Sequence, residues 1–422
     1  MIPRRLLLAW LVALSIAPAV VHAADPPGLR TLSSKHLSLV TDLPADPEVD
    51  ALPGYFDQAF EQWCAYFGID PAAHANWQVR AFLMQSRERF TAAGLISDAV
   101  PQFATGYSLD NACWLFDQTS VYYRRHLLLH EGVHCFMNAM LGGTGPAWYA
   151  EGTAEILATH ELQDSKLTVN VIPPRREDVP KWGRIEAVQQ DYAKKKALTL
   201  AKVFNLSGTL HGTVEQYGWC WAAAAFLDHH PRYRERFRAL KAQVREAGFA
   251  QRVDAAFAAD RARLDEDWQV YISHLDYGYD FARMDFEPVA GKPLGAQPAK
   301  VSVAADRGWQ PTGLVLEKGK KYRLQASGRY QVAGGDQPWL SEPGGVTIRY
   351  DRGQPLGILL AAVRSDDPAA NNPSGLIRPI VVGLDTVLEA PRTGTLYLRI
   401  NESPGSLADN KGAAEVEITA VP

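Results

Sequence analysis

The sequence predicts a multidomain α+β chain: a mixed strand-and-helix unit with a mostly helical C-terminal half, followed by an antiparallel β-sandwich. Three observations predict it. The 422 residues exceed one ordinary domain. Short alternating segments and longer segments of helical period share residues 35 to 285. After residue 300 nearly every apolar run has period two and is bounded by Gly, Pro, Asn or Asp.

The opening MIPRRLLLAWLVALSIAPAVVHAAD has Arg4 and Arg5, then an apolar stretch, then the small-residue site Val21-His22-Ala23. It reads as a secretory signal over 1–23, which places the mature chain in the periplasm or outside a bacterial cell. Cleavage removes two arginines and no acid, so the formal charge goes from −4 to −6. An acidic chain without a basic run argues against a nucleic-acid partner. No later apolar run is long enough for a transmembrane anchor.

The first folded unit is expected over 24–286. HLSLVTDL alternates as a strand, and YFDQAFEQWCAYFG sets Phe56, Phe60, Trp63, Cys64 and Phe67 at helical spacing. WQVRAFLM and ATGYSLDNACWLF read as two further strands. Helical text then dominates through EQYGWCWAAAAFLDHH, YRERFRALKAQVREA and DEDWQVYISHL. The stretch FEPVAGKPLGAQPAK is rich in Pro, Gly and Ala, and its residues 287–300 are expected to be a linker. The sandwich is expected over 301–422 with about eight strands, TGLVLEKG, KYRLQASGRY, VTIRY, LYLRI and AEVEITAV among them. The four cysteines, Cys64, Cys113, Cys135 and Cys220, fit buried thiols or one or two disulfides, and no CxxC spacing suggests a structural zinc site.

LLLHEGVHCFM carries the chemistry. Residues four apart on a helix differ by about 40°, so His130 and His134 can share one metal ion, while Glu131 can take the proton of a metal-activated water. Catalytic zinc usually takes three protein ligands. GPAWYAEGTAEILATH supplies Glu151 as the third, and Glu155, one turn on, as acceptor for the second N–H of His130. His126 also sits four residues before His130, but Leu127 follows it where a base is needed, so it is expected at the surface or behind a ligand. Hydrolysis of a carbonyl needs an oxyanion donor. Tyr217, at the start of YGWCWAAAAFL, is the first candidate, against the alternative of a tyrosine packed at a helix start; His211 is the second.

HEGVH, sixteen residues, and then Glu in a WYAEGTAE context resembles the gluzincin metallopeptidases, and within them the peptidase-MA-like domains of exported bacterial proteins. The likeness covers roughly residues 35 to 280 and implies a thermolysin-like zincin fold. It also implies zinc on His130, His134 and Glu151, with Glu155 behind them, a later-helix Tyr or His as oxyanion donor, and ATGYSLDNACWLF as an edge strand along the substrate cleft.

Residues 308 to 419 resemble the calcium-dependent galactose-binding bacterial lectins of the small sandwich type. That likeness points to NESPGSLADN, with Glu402, Ser406, Asp409 and Asn410 as candidate Ca2+ ligands, oxygen donors of the kind calcium takes. Asn401-Glu402 stands where that family has Asn-Asp, and its sugar-contacting histidine has no clear counterpart. The expected function is an exported Zn2+-dependent hydrolase, a peptidase acting on peptide or glycoprotein. The alternative is a periplasmic or cell-surface carbohydrate-binding protein with an inactive zincin domain.

Overall fold

The computed structural model describes residues 27–206 and 213–422. The predicted signal over 1–23 and His211 lie outside the described residues. The chain is mixed helix and sheet, with most of its strands in the C-terminal part.

A five-stranded sheet opens the first unit, from β1 (Arg30–Ser33), β2 (Leu37–Thr41), β3 (Val79–Met84), β4 (Gly106–Leu109) and β5 (Ala112–Phe116), in the order β1-β2-β3-β5-β4. β2, β3 and β5 run parallel, with Leu39 opposite Ala81 and Leu83 opposite Leu115. ATGYSLDNACWLF is therefore not one strand. It folds back at Asp110, whose φ is 53°, into an antiparallel hairpin that makes β4 the sheet edge. Asp and Asn tolerate the left-handed region that such a tight turn needs.

The helices α1 (Pro47–Asp50), α2 (Leu52–Phe67), α3 (Arg87–Ala92), α4 (Val121–Leu141) and α5 (Ala147–Ala158) come next, and the hairpin β6 (His160–Gln163) and β7 (Lys166–Val169) follows them. All five apolar residues predicted for one face of α2 are buried. Phe60, Trp63 and Phe67 ring Phe136 of α4 with centroids 5.7 to 5.9 Å away, the edge and offset contacts that aromatic pairs favour.

Helices α6 (Arg184–Ala193), α7 (Leu200–Phe204), α8 (Val214–His229), α9 (Arg234–Ala239), α10 (Phe249–Phe257), α11 (Arg261–His274) and α12 (Phe281–Met284) complete the unit. YRERFRALKAQVREA is shorter than expected as a helix, since α9 gives way to a 3-10 turn over Leu240–Gln243. Every residue of α8 from Gly218 to Asp228 is buried, which its run of alanines allows at close helix spacing.

Beyond Phe286 come β8 (Lys292–Pro293), β9 (Ala299–Ala304), β10 (Gln310–Leu316), β11 (Lys321–Ser327), β12 (Tyr330–Ala333), β13 (Trp339–Ser341), β14 (Gly344–Asp351), β15 (Gln354–Arg364), β16 (Ile380–Val381), β17 (Asp385–Glu389), β18 (Gly394–Ile400) and β19 (Ala413–Val421). The count exceeds the expected eight because short segments such as β8 and β16 extend the sheets. A sheet ordered β14-β15-β18-β10-β8, with β16 on β15, faces one ordered β17-β11-β19-β9. Leu324, Val416 and Ile418 of one layer share a core with Leu359, Ala361 and Leu398 of the other.

The expected linker is partly structure. β8 pairs with β10, the Gly291 N–H donates to the Thr395 hydroxyl, and the Tyr397 hydroxyl donates to the Glu287 carbonyl. Its proline, glycine and alanine content suits a segment laid at a sheet edge, where few ladder donors are needed.

The two units meet across β15. Leu359, Ala361 and Val363 point into the sandwich, while Ile358, Leu360 and Ala362 pack with Val270 of α11, Phe286, Trp309 and Tyr397. At the end of this seam the Arg364 guanidinium grips the Glu266 carboxylate through three hydrogen bonds of 2.8 to 3.0 Å, and the Ser374 hydroxyl donates to the same group. The four cysteines are free and buried, so no disulfide supports the fold. Among the described residues no helix is long and apolar enough to cross a membrane.

Candidate metal centre

Helix α4 starts where the Ser120 hydroxyl accepts the Tyr123 N–H and stops at Gly142, whose φ of 73° ends a helix readily. Within HEGVH the glycine is a packing requirement, because a Cβ on Gly132 would lie 2.5 Å from the Phe56 ring of α2. Gly152 serves the same purpose on α5, since a Cβ there would lie 2.7 Å from the Cys220 carbonyl of α8. These two close approaches seat α4 against α2 and α5 against α8.

Three ligand atoms meet at one point. His130 Nε2 is 3.2 Å from His134 Nε2 and 3.2 Å from Glu151 Oε2, and His134 Nε2 is 3.5 Å from the same oxygen. Tetrahedral zinc with bonds of about 2.0–2.2 Å sets neighbouring ligand atoms about 3.3–3.6 Å apart. Glu151 Oε2 is buried and has no hydrogen-bond partner. Converging ligand atoms of this kind can hold a cation between them. The donor set of two imidazoles and one carboxylate therefore fits zinc.

The electrostatics lean the same way. Burial would raise the Glu151 carboxyl, yet His134 and His130 hold it well below the usual range. Burial would push His130 down, but the adjacent Glu151 carboxylate and the charges of Glu155 and Glu131 lift it to about 9.

Glu131 stands beside the three rather than among them. Burial raises its carboxyl, opposed by His130 and His134, while the Ser108 hydroxyl of β4 donates to it. Strand β4 also passes so close that a Cβ on Gly106 would be 2.5 Å from Glu131 Oε1. The sheet edge thus runs directly beside the carboxylate.

Behind the ligands, His130 Nδ1 is 3.5 Å from Glu155 Oε1, close to the expected acceptor but without a hydrogen bond to it. Glu155 also has His126 Nε2 at 3.3 Å and a two-pronged grip from Arg184, with Nε to Oε2 at 3.1 Å and Nη2 to Oε1 at 2.8 Å. Burial opposes ionisation of Glu155, and Arg184, His126 and His130 overcome it, so the carboxylate stays charged. His126 is not at the surface: it is buried on the Glu155 side of α4, and burial keeps its ring neutral. Arg184 was not singled out in the sequence. It carries no spacing signal, because it reaches Glu155 from the start of α6.

The Tyr217 ring stands 5.9 Å from the His130 ring, nearly perpendicular to it, with the Arg184 guanidinium 5.4 Å from its centroid. Burial raises its phenol, as do the charges of Glu151, Glu131 and Glu155. The hydroxyl therefore stays protonated, as a donor must. Among the described residues, two groups of three or more His, Cys, Asp or Glu side chains have ligand atoms within 4.8 Å of one another: His130, His134 and Glu151, and, overlapping them, His126, His130 and Glu155. The second contains the carboxylate already neutralised by Arg184.

The expected calcium ligands are arranged differently. Glu402 is buried, with Oε1 accepting the Ser403 N–H. Asp409 Oδ2 accepts the Gly334 N–H at 2.6 Å, and Asn410 Nδ2 donates to the Ala305 carbonyl at 3.0 Å. The Ser406 N–H donates to the Ser403 carbonyl within the same loop. Leu407, in the middle of this loop, belongs to the core of the first unit. Nearby, Gly405 packs on Gly278 so closely that a Cβ would strike the Tyr277 carbonyl.

No protein-family model matches the chain, and no curated protein matches it. Among solved structures it is similar to one described as "EclA N-terminal domain; PllA-like lectin", at 22% identity over 29% of this chain and 95% of that one, with a TM-score of 0.23.

Proposed function

We propose that this chain is an exported zinc-dependent hydrolase of the gluzincin type, acting on peptide or glycoprotein substrates. The observation that carries the proposal is the triangle of His130, His134 and Glu151 ligand atoms, whose sides of 3.2, 3.2 and 3.5 Å match the edges of a tetrahedral zinc site. Zinc held there by His130, His134 and Glu151 would supply Lewis-acid polarisation of a carbonyl and of a water.

The chain's own groups do the rest. Glu131 takes the proton of the attacking water and returns it to the leaving amine, a role that its raised pKa suits. The Tyr217 hydroxyl donates to the oxyanion as it forms. Glu155, charged and fixed by Arg184, orients the His130 ring. The edge strand β4 offers its free side to an extended peptide.

Elemental analysis of the purified protein tests this, with about one zinc per chain expected in the parent and a marked loss in Glu151→Ala. Glu131→Gln should keep the zinc and lose turnover against a peptide library. A parent without zinc after zinc addition would refute the reading.

One observation favours a second role for the sandwich. Glu402 Oε2 and Asn410 Oδ1 are buried without hydrogen-bond partners, as oxygens awaiting a cation would be. Calcium-dependent glycan binding by a chain without hydrolase activity would support the carbohydrate-binding alternative. The seating of Leu407 in the first unit's core weighs against an open sugar site on that face.

A further inference from the structure

Two of the four buried cysteines lie against each other. Cys113 of β5 and Cys135 of α4 are fully buried and share one core. Cys135 Sγ donates to the carbonyl of Ala112, the residue before Cys113, at 3.7 Å. The Cys113 thiol is pushed well above its ordinary range, first by its hydrogen bond with the Cys135 thiol and then by burial. Cys64 and Cys220 stand elsewhere. Burial raises both of those thiols, with carboxylates contributing beside it, Glu61 and Asp70 for the first and Glu151 and Glu155 for the second.

Two cysteines can be bridged only where their side chains converge, and thiols in contact meet that condition. The pair also joins two elements of the candidate metal centre. Cys135 directly follows the metal-facing His134. Cys113 lies opposite Ser108 of β4, the residue whose hydroxyl donates to Glu131. A covalent bond between the two sulfurs holds the sheet edge and the helix at a fixed spacing.

We propose that Cys113 and Cys135 form a disulfide that staples β5 to α4. Two S–H bonds break and one S–S bond forms. The two electrons and two protons pass to the disulfide of the oxidant, a small molecule or a thiol oxidoreductase, which leaves as two thiols. Because both sulfurs are buried, the bond forms while the chain folds or opens locally, and burial then shields it from reductants. Neither the pairing nor its test depends on zinc.

Thiol mapping of the full chain tests it. Protein purified without reductant is incubated with oxidised glutathione in urea just short of the unfolding transition, where buried segments open transiently, then denatured in iodoacetamide and weighed. Two alkylated cysteines, Cys64 and Cys220, are expected, against four after reduction, with one pair of peptides joined through Cys113 and Cys135. The cysteines are 22 positions apart, and closing a loop of that length should raise the melting temperature of the oxidised chain by roughly 5–10 °C over the reduced one. Cys113→Ala/Cys135→Ala should lose the shift. Cys64→Ala/Cys220→Ala should keep it, and so serves if the first variant does not fold. Four alkylated cysteines after oxidation, glutathione adducts in place of the cross-link, a cross-link to Cys64 or Cys220, or a cross-linked chain that melts no higher than the reduced one would overturn the proposal.

Discussion

Replacing Arg364 with Met tests how the two units are joined. In the parent, the Arg364 Nε and Nη2 groups make three hydrogen bonds to Glu266, and both side chains are at most 4% exposed. Methionine keeps most of the aliphatic volume but removes all three bonds, so the Glu266 carboxylate retains one donor, the Ser374 hydroxyl. Stranding a buried charge in this way costs about 3–5 kcal/mol. In urea, with a slope near 3 kcal/mol per M, the transition that separates the units should move down by roughly 1–1.7 M. The double variant Arg364→Met/Glu266→Leu removes the stranded charge and should recover most of the loss, because well-packed apolar replacements of buried ion pairs are often neutral. Tryptophan fluorescence and circular dichroism followed in parallel would report whether the seam opens before the rest. A shift below about 1 kcal/mol for the single variant, or a double variant as unstable as the single one, would refute the view that this pair is buried and uncompensated elsewhere.

Two other outcomes follow from the geometry. Gly106→Ala places a methyl group where Glu131 Oε1 now lies 2.5 Å from it. The flexible carboxylate yields by about 1 Å, so zinc content and melting temperature should hold while turnover falls about 100-fold; an unchanged rate would remove Glu131 from the reaction. Burial, with the Arg125 charge beside it, holds His160 at about 3 against an ordinary 6.5. The unfolded chain therefore takes up this proton first, so His160 contributes full stability above pH 6.5 and loses it as pH falls toward 3. In His160→Gln, which can still accept from Arg125, the stability deficit relative to the parent should shrink by on the order of 2–3 kcal/mol between pH 7.5 and 4.5. A deficit that is constant with pH, measured by urea unfolding, would refute this assignment.

What could be read from the sequence was what repeats locally. The pairs His130/His134 and Glu151/Glu155 are one helical turn apart, so helix geometry alone predicts that each pair shares a face, as they do on α4 and α5. The alternation of KYRLQAS predicts its buried Tyr322, Leu324 and Ala326 against exposed neighbours. Features that depend on distant contacts carried no local mark. Arg184 meets Glu155 across 29 positions, and Arg364 meets Glu266 across 98. The Asp110 turn was visible as Asp-Asn within SLDNAC, but the apolar residues on both sides outweighed it. The 287–300 segment misled because proline and glycine signal both loops and sheet edges.

Leu407 has a consequence for biogenesis. Synthesis proceeds from the N-terminus, so the helices of the first unit exist well before residue 407 is made, and their core has an unfilled seat until the sandwich docks. Maturation of the first unit is then a two-step event whose last step belongs to the other domain. A chain truncated after residue 286 should leave the ribosome with that apolar seat open, and would be a substrate for chaperones and quality-control proteases rather than a smaller stable domain.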